Sequence, residues 1–145
     1  MTSTPFKTTQ DLDFLQVYLI TDFMRIGKSR FLNALEEAFQ GGVRSLQLRE
    51  KSLNSKDLLT LALEVKPLLQ CYNAKLFIND RADIAVMAGA DGVHLTEASV
   101  QASEVKNNFP ELIVGVSTHS LEGARLAETQ GADFITFSPI YETPS

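Results

Sequence analysis

Six short apolar runs alternate along this chain with longer amphipathic stretches, and that alternation limits what it can fold into. The runs are residues 17–21, 45–49, 76–79, 92–95, 112–117 and 134–138. Several are β-branched, and their length suits strands buried in a parallel sheet. Helical patterns fill the gaps. Phe31, Leu32, Leu35, Ala38 and Phe39 recur at helical spacing over 29–39, and Gly41 with Gly42 ends that helix. Asn54 or Ser55 can cap a helix running to about Gln70, which Pro67 is predicted to break or kink near its last turn. Shorter helices are predicted over 81–88, over 100–108 with Ser99 as cap, and over 121–130 with Ser120 as cap. Gly123 is a weak point inside the last of these.

A faint repeat fixes the register. Gly41-Gly42-Val43-Arg44-Ser45-Leu46, Gly89-Ala90-Asp91-Gly92-Val93-His94 and Gly131-Ala132-Asp133-Phe134-Ile135-Thr136 share one form, a helix-ending glycine and a short turn into a strand. Regular βα alternation implies a parallel sheet with right-handed crossovers. No Gly-x-Gly-x-x-Gly and no P-loop follows the first strand, which weakens a dinucleotide-binding reading. Asp91 and Asp133 precede strands and read as turn residues.

Composition excludes several function classes. The net charge is −5 and no basic stripe is present, which argues against nucleic acid or an anionic membrane as partner. The single cysteine, Cys71, cannot form an internal disulfide and is expected to be partly buried. Residues 1–10 are polar and hold no signal-peptide core, and no apolar run approaches the length of a membrane span. A soluble cytoplasmic protein is the expectation.

The polar residues favour a barrel over an open sheet. Asp22 follows the first strand; Gln47, Arg49, Glu50 and Lys51 end the second; Asn79, Asp80 and Arg81 end the third. His94 and Thr96 end the fourth, Ser117, Thr118 and His119 end the fifth, and Ser138 and Thr143 end or follow the sixth. Polar groups at the same end of every strand describe one rim, where barrel enzymes keep their active sites. In the second strand Leu46 and Leu48 face one side, Gln47 and Arg49 the other. With helices outside, Gln47 and Arg49 point into the barrel. An inward arginine is costly without an anionic partner. Lys51 lies on the same alternation, so the pair could hold a phosphate or diphosphate. The plainer alternative is a salt bridge to Glu50 or Asp80. Asp80 could hold Mg2+ beside substrate phosphates, or could cap the next helix. His94 reads as a satisfied core histidine. His119 could move protons at the rim or serve as a cap or surface residue.

Five ordered motifs carry a family resemblance. They are Gln47-Leu48-Arg49-Glu50-Lys51, Phe77-Ile78-Asn79-Asp80-Arg81-Ala82-Asp83, Ala90-Asp91-Gly92-Val93-His94-Leu95, Gly115-Val116-Ser117-Thr118-His119-Ser120, and Gly131-Ala132-Asp133 through Ser138-Pro139-Ile140-Tyr141-Glu142-Thr143. The chain resembles the thiamin phosphate synthase/TenI family from Tyr18 onward. That implies an α/β protein of TIM (β/α)8 type and a transferase of thiamin biosynthesis. The synthase joins a hydroxymethylpyrimidine diphosphate to a thiazole phosphate and releases pyrophosphate with Mg2+. By motif, Gln47, Arg49, Lys51, Asn79 and Ser117 would contact the pyrimidine diphosphate, with Arg49 and Lys51 stabilising the leaving group. Asp80 would hold Mg2+, and Thr143 and Ser145 would line the thiazole phosphate site.

Two departures qualify the resemblance. Ser99 stands where the synthase has a second metal-binding aspartate, so Mg2+ binding is expected to be weak. This stretch is nearer the TenI branch, which includes thiazole tautomerases; there His119 would be the acid/base. A non-catalytic phosphate-ligand binder is a third possibility. Residues 1–145 are expected to form one barrel domain with about six βα units, lacking strands seven and eight. The open edges at Val17, Leu19, Ile135 and Phe137 would then favour a homo-oligomer.

Overall fold

The computed structural model describes residues 9–143. After a 3-10 helix at Thr9–Leu15, strands and helices alternate. The strands are β1 Tyr18–Ile20, β2 Ser45–Leu48, β3 Lys75–Asn79, β4 Gly92–Leu95, β5 Ile113–Thr118 and β6 Phe134–Phe137. The helices are α1 Phe23–Ile26, α2 Lys28–Gln40, α3 Ser55–Cys71, α4 Ala82–Ala88, α5 Ala102–Asn108 and α6 Leu121–Thr129. All five strand pairings are parallel, and the order is β1-β2-β3-β4-β5-β6. The strict sequential order is that of a barrel and excludes an open doubly wound sheet.

The sheet is strongly curled. Laid flat, six strands would separate β1 from β6 by about 24 Å. Yet the rings of Tyr18 on β1 and Phe134 on β6 have centroids 5.7 Å apart, edge to face. Phe77 of β3 meets both, at 5.5 Å from Tyr18 and 5.6 Å from Phe134. These rings plug the concave side, and two glycines make room for them. A Cβ at Gly115 would lie 2.3 Å from the Phe134 ring. One at Gly92 would lie 2.6 Å from the Phe77 ring and 2.3 Å from the Ile113 carbonyl.

The larger core lies on the convex side, under the helices. Leu46, Leu48, Leu76, Ile78, Val93 and Val114 face outward from the strands onto Phe31, Leu35 and Phe39 of α2, Val65 and Leu69 of α3, and Ile84 of α4. The predicted parity of β2 therefore holds: its leucines meet helices and Gln47 faces the barrel interior. On the outer strands Val17, Ile135 and Phe137 stay about half exposed, while Leu19 packs against the core.

Three local expectations are corrected, and one element is added. The α3 helix runs through Pro67 to Cys71, because Val65 and Leu69 on either side are buried against the sheet. Cys71 is exposed, at the last turn of that helix. The short α1 turn was not foreseen; Asp22 caps it, accepting from the Arg25 amide at 3.1 Å. Ser99 does not cap α5, which starts later at Ala102, because its hydroxyl is engaged elsewhere. Ser120 does cap α6, accepting from the Gly123 amide at 3.0 Å.

Asp91 and Asp133 do more than turn the chain. Asp91 accepts from the Leu76 amide at 2.9 Å and pairs with Lys75. Asp133 accepts from the Val114 amide at 2.8 Å and pairs with Lys106. Each aspartate ties the start of one strand to the loop entering its neighbour. The repeated Gly-Ala-Asp is thus a strand clamp at the end of the barrel away from the rim.

Candidate active site

The inward side chains form two tiers. The deeper tier holds the aromatic plug and a buried polar chain. The Gln47 side chain lies against the Tyr18 phenol and lowers its pKa. Tyr18 Oη lies 3.1 Å from His94 Nδ1, and His94 Nε2 lies 2.9 Å from Ser117 Oγ. Thr136, paired in register with Ser117, donates to the same Oγ at 3.4 Å. Burial pushes the Tyr18 phenol well above its usual range, an effect the Gln47 bond only partly offsets. Burial also pushes His94 down to about 4, so the ring is neutral at pH 7. His94 is thus the satisfied core histidine the sequence suggested, with both nitrogens engaged.

The upper tier is the rim, and Glu50 secures its first part. This buried carboxylate accepts from the Thr21 hydroxyl at 2.5 Å and the Phe23 amide at 2.8 Å. Thr21 in turn accepts from the Arg49 amide at 3.1 Å. The ends of β1 and β2 are therefore laced together, and Glu50 is committed to that lacing. The suggested salt bridge from Arg49 or Lys51 to Glu50 or Asp80 is not formed. Both cations are exposed, and neither makes an ion pair among the described residues. Arg81 is different: its guanidinium pairs with Asp83 at 2.6 and 2.8 Å and reaches Ser55. That partner holds Arg81 above its usual range and Asp83 below the usual carboxylate range.

Lys51, Asn79 and Asp80 line one cavity of about 250 Å³, with Thr96 at its edge and Leu48, Leu53 and Leu58 as its apolar wall. Asp80 has φ 64°, a left-handed conformation costly for most side chains. Its amide donates to the His94 carbonyl at 2.8 Å, and one carboxylate oxygen accepts from the Ser99 hydroxyl. Ser99 Oγ also accepts from the Thr96 amide at 2.9 Å and lies 3.0 Å from Thr96 Oγ1. Asp80 does not cap α4, whose N-cap is Arg81 with no side-chain bond. The capping alternative for Asp80 is therefore removed.

Other site residues lie apart from that cavity. Gln47 is buried beneath it against Tyr18, and Ser117 sits across the barrel on β5. His119 is exposed after β5, its Nδ1 2.7 Å from the Ser138 carbonyl. That contact makes Nδ1 the protonated nitrogen. Glu97 accepts from the His119 amide at 3.3 Å, so it is turned toward the β5–α6 loop and not toward Asp80. Thr143 is exposed beyond β6, and Ser145 lies outside the described residues. Sequence reasoning gave no role to Tyr18 or Thr21, and offered Glu50 only as a salt-bridge partner for the rim cations. Their partners sit on other strands, and no local spacing signals them.

The family model described as thiamine monophosphate synthase (TMP-TENI) matches residues 17–145. The chain belongs to this family. A relative from Aquifex aeolicus, provisionally assigned as thiamine-phosphate synthase 2, is 50% identical over 134 residues, covering 92% of this chain and 72% of its own. A thiamine-phosphate synthase from Desulfitobacterium hafniense is 39% identical over 130 residues, covering 89% of this chain and 63% of its own. The solved structure of a thiamine phosphate pyrophosphorylase from Pyrococcus furiosus superposes with a TM-score of 0.82 at 32% identity. It is matched over 89% of this chain and 62% of its own. Family members with these names agree with the synthase reading and do not favour the tautomerase alternative.

The family implies Mg2+, and the donor set admits it in a restricted form. Among the described residues no cluster of three His, Cys, Asp or Glu is arranged for a metal. Of the two carboxylates lining the cavity, Glu50 is committed to Thr21 and the Phe23 amide, and Asp80 is flanked by the hydroxyls of Ser99 and Thr96. Mg2+ commonly takes one or two protein carboxylates and completes its shell with substrate phosphate oxygens and water. These residues fit such a shared site and do not form a closed protein cage. Among the described residues no helix is long and apolar enough to cross a membrane.

Proposed function

We propose that this chain acts in thiamin biosynthesis as a thiamin phosphate synthase, joining a hydroxymethylpyrimidine diphosphate to a thiazole phosphate with release of pyrophosphate. The observation that carries this reading is the pair Arg49 and Lys51. Both are exposed, both follow β2, and neither makes an ion pair among the described residues; Lys51 shares its cavity with Asn79 and Asp80, and Arg49 stands beside it. Cations left unpaired at a barrel rim suit an anionic ligand.

In this reading Arg49 grips the diphosphate through its planar fork and Lys51 as a point charge. Asn79 and Ser117 orient the pyrimidine diphosphate, and Gln47 supports the floor beneath it. The bond between the pyrimidine methylene and the diphosphate oxygen breaks, and its electron pair leaves with pyrophosphate. The thiazole nitrogen then gives its lone pair to the methylene carbon, forming the new C–N bond. Arg49 and Lys51 stabilise the charge gathering on the leaving group. Asp80 would hold Mg2+, which supplies further neutralisation of the diphosphate when bound. Thr143 and Ser145 are assigned to the thiazole phosphate, and His119 to proton movement at the rim. A cytoplasmic location suits an enzyme of small phosphorylated substrates.

The test is to incubate the protein with both substrates, with and without Mg2+, and to measure thiamin phosphate and pyrophosphate together. The expected result is equal amounts of both products, dependent on Mg2+. Pyrophosphate release without thiamin phosphate, or neither product, contradicts the proposal.

A further inference from the structure

We propose that Thr21 is a positioning residue: its hydroxyl holds the Glu50 carboxylate off Arg49 and Lys51, and so keeps both cations free for an anionic ligand. The inference rests on the synthase reading only for the identity of that ligand, a diphosphate.

Glu50 stands between the two cations in sequence, and β2 has already ended at Leu48. Beyond that point the sheet no longer imposes the alternation that sends neighbouring side chains to opposite faces. The Leu53 amide donates to the Glu50 carbonyl at 3.1 Å, so the segment turns at once. Glu50 and Lys51 line the same cavity. An acid placed this way between two cations is drawn to them unless other donors engage it. Any such pair must break before a phosphate takes the cation.

Thr21 supplies the restraint, and the direction of each bond is set by its chemistry. The Arg49 backbone N–H can only donate, and it donates to Thr21 Oγ1 at 3.1 Å. A carboxylate accepts, so the single Thr21 proton goes to Glu50 Oε1. The Phe23 amide donates to the same oxygen at 2.8 Å. Thr21 is itself fixed: it is buried, and its amide donates to the Gln47 carbonyl at 3.0 Å, at the end of the β1–β2 ladder. One hydroxyl thus fixes the backbone of the first cation and turns away the acid that would compete for both. Glu50 is accordingly buried, while Arg49 and Lys51 are exposed.

Calorimetric titration with inorganic pyrophosphate, at low salt and without Mg2+, tests this in Thr21→Val, Glu50→Gln and the double variant. Circular dichroism first shows which of them are folded. Thr21→Val is close in size and lacks the hydroxyl; it is expected to weaken pyrophosphate binding by about fivefold, the upper scale of an exposed ion pair. Adding Glu50→Gln removes the competing charge and is expected to restore most of that loss. Thr21→Ser keeps the hydroxyl and is expected to bind as the wild-type protein does. A purely structural role for Thr21 would leave the double variant no better than Thr21→Val. That result, or unchanged affinity in Thr21→Val, overturns the inference. In the wild-type background Glu50→Gln is expected to change affinity by less than about twofold, because the carboxylate is already held away. A gain of about fivefold there would mean that Glu50 competes for the cations despite Thr21, and also overturns the inference; this variant carries the test if Thr21→Val does not fold. If the wild-type protein takes up no pyrophosphate, the diphosphate reading of the rim fails, and the crystal structure of Thr21→Val decides the inference. A Glu50 oxygen within about 4 Å of a Lys51 or Arg49 side-chain nitrogen supports it, and a carboxylate still seated on the Phe23 amide refutes it.

Discussion

Tyr18 and Phe134 stand on the first and sixth strands of one sheet, yet their rings touch edge to face with centroids 5.7 Å apart. This contact measures the curl of the sheet, and the curl gathers the strand ends into one rim. The plug depends on glycine at the facing positions. Gly115→Val should overpack against Phe134 and destabilise the protein by about 2 kcal/mol, the usual scale for forced core insertions. Urea unfolding followed by circular dichroism gives the value. An unchanged midpoint would mean that the Phe134 ring moves freely, and the curl would need another cause.

Glu50 is the lock between β1 and β2. Replacing it with Ala strands the Thr21 hydroxyl and the Phe23 amide near a buried site. The expected cost is about 2–4 kcal/mol, one to two kcal/mol for each donor left unmet. Glu50→Gln keeps an acceptor and should lose less. Equal losses in the two variants, measured by denaturant unfolding, would show that the carboxylate's hydrogen bonds are not what matters.

Acid should weaken the fold through His94. Its folded pKa is about 4, below the ordinary histidine value of 6.5. Between those values the unfolded chain binds the extra proton and the folded chain does not, so stability rises with pH. On acidification it is lost from about pH 6.5 down to 4, by on the order of 3 kcal/mol for a shift of this size. Asp83, held below its ordinary value, gives up its contribution only at lower pH. The check is unfolding free energy against pH for wild type and His94→Gln. The wild-type slope should flatten in the variant; parallel curves would assign the acid sensitivity to other groups.

Metal binding should report on Ser99. Its hydroxyl bridges Asp80 and the Thr96 amide where a carboxylate would give a second hard ligand. The wild-type protein is expected to bind Mg2+ weakly by calorimetry unless a diphosphate is present. Ser99→Asp is expected to tighten binding by about tenfold or more, as a second charged ligand joins Asp80. Tight Mg2+ binding by the wild-type protein alone would place the metal elsewhere.

Much of this was legible in the chain because it depends on local period. The parity of Leu46-Gln47-Leu48 put two leucines under the helices and the glutamine inside, and strand-end polarity distinguished a barrel from an open sheet. What escaped was set by partners distant in sequence. Ser99 looks like a helix cap until Asp80, nineteen residues earlier, is seen to take its proton. Tyr18 reads as one more core aromatic until His94 is found beside it, seventy-six residues on. Pro67 illustrates the converse, since burial of Val65 and Leu69 overrides the local tendency to end the helix.

The rim formed by β2, β3 and their following loops is proposed to bind the diphosphate of a pyrimidine. Calorimetric titration of hydroxymethylpyrimidine diphosphate into the wild-type protein, Arg49→Ala and Lys51→Ala tests it most directly. Each substitution is expected to weaken binding by about 30-fold, equivalent to about 2 kcal/mol for a lost charge-assisted contact. The slope of affinity against salt should fall as well. Unchanged affinity in both variants, with binding retained by the wild-type protein, would remove Arg49 and Lys51 from the diphosphate site.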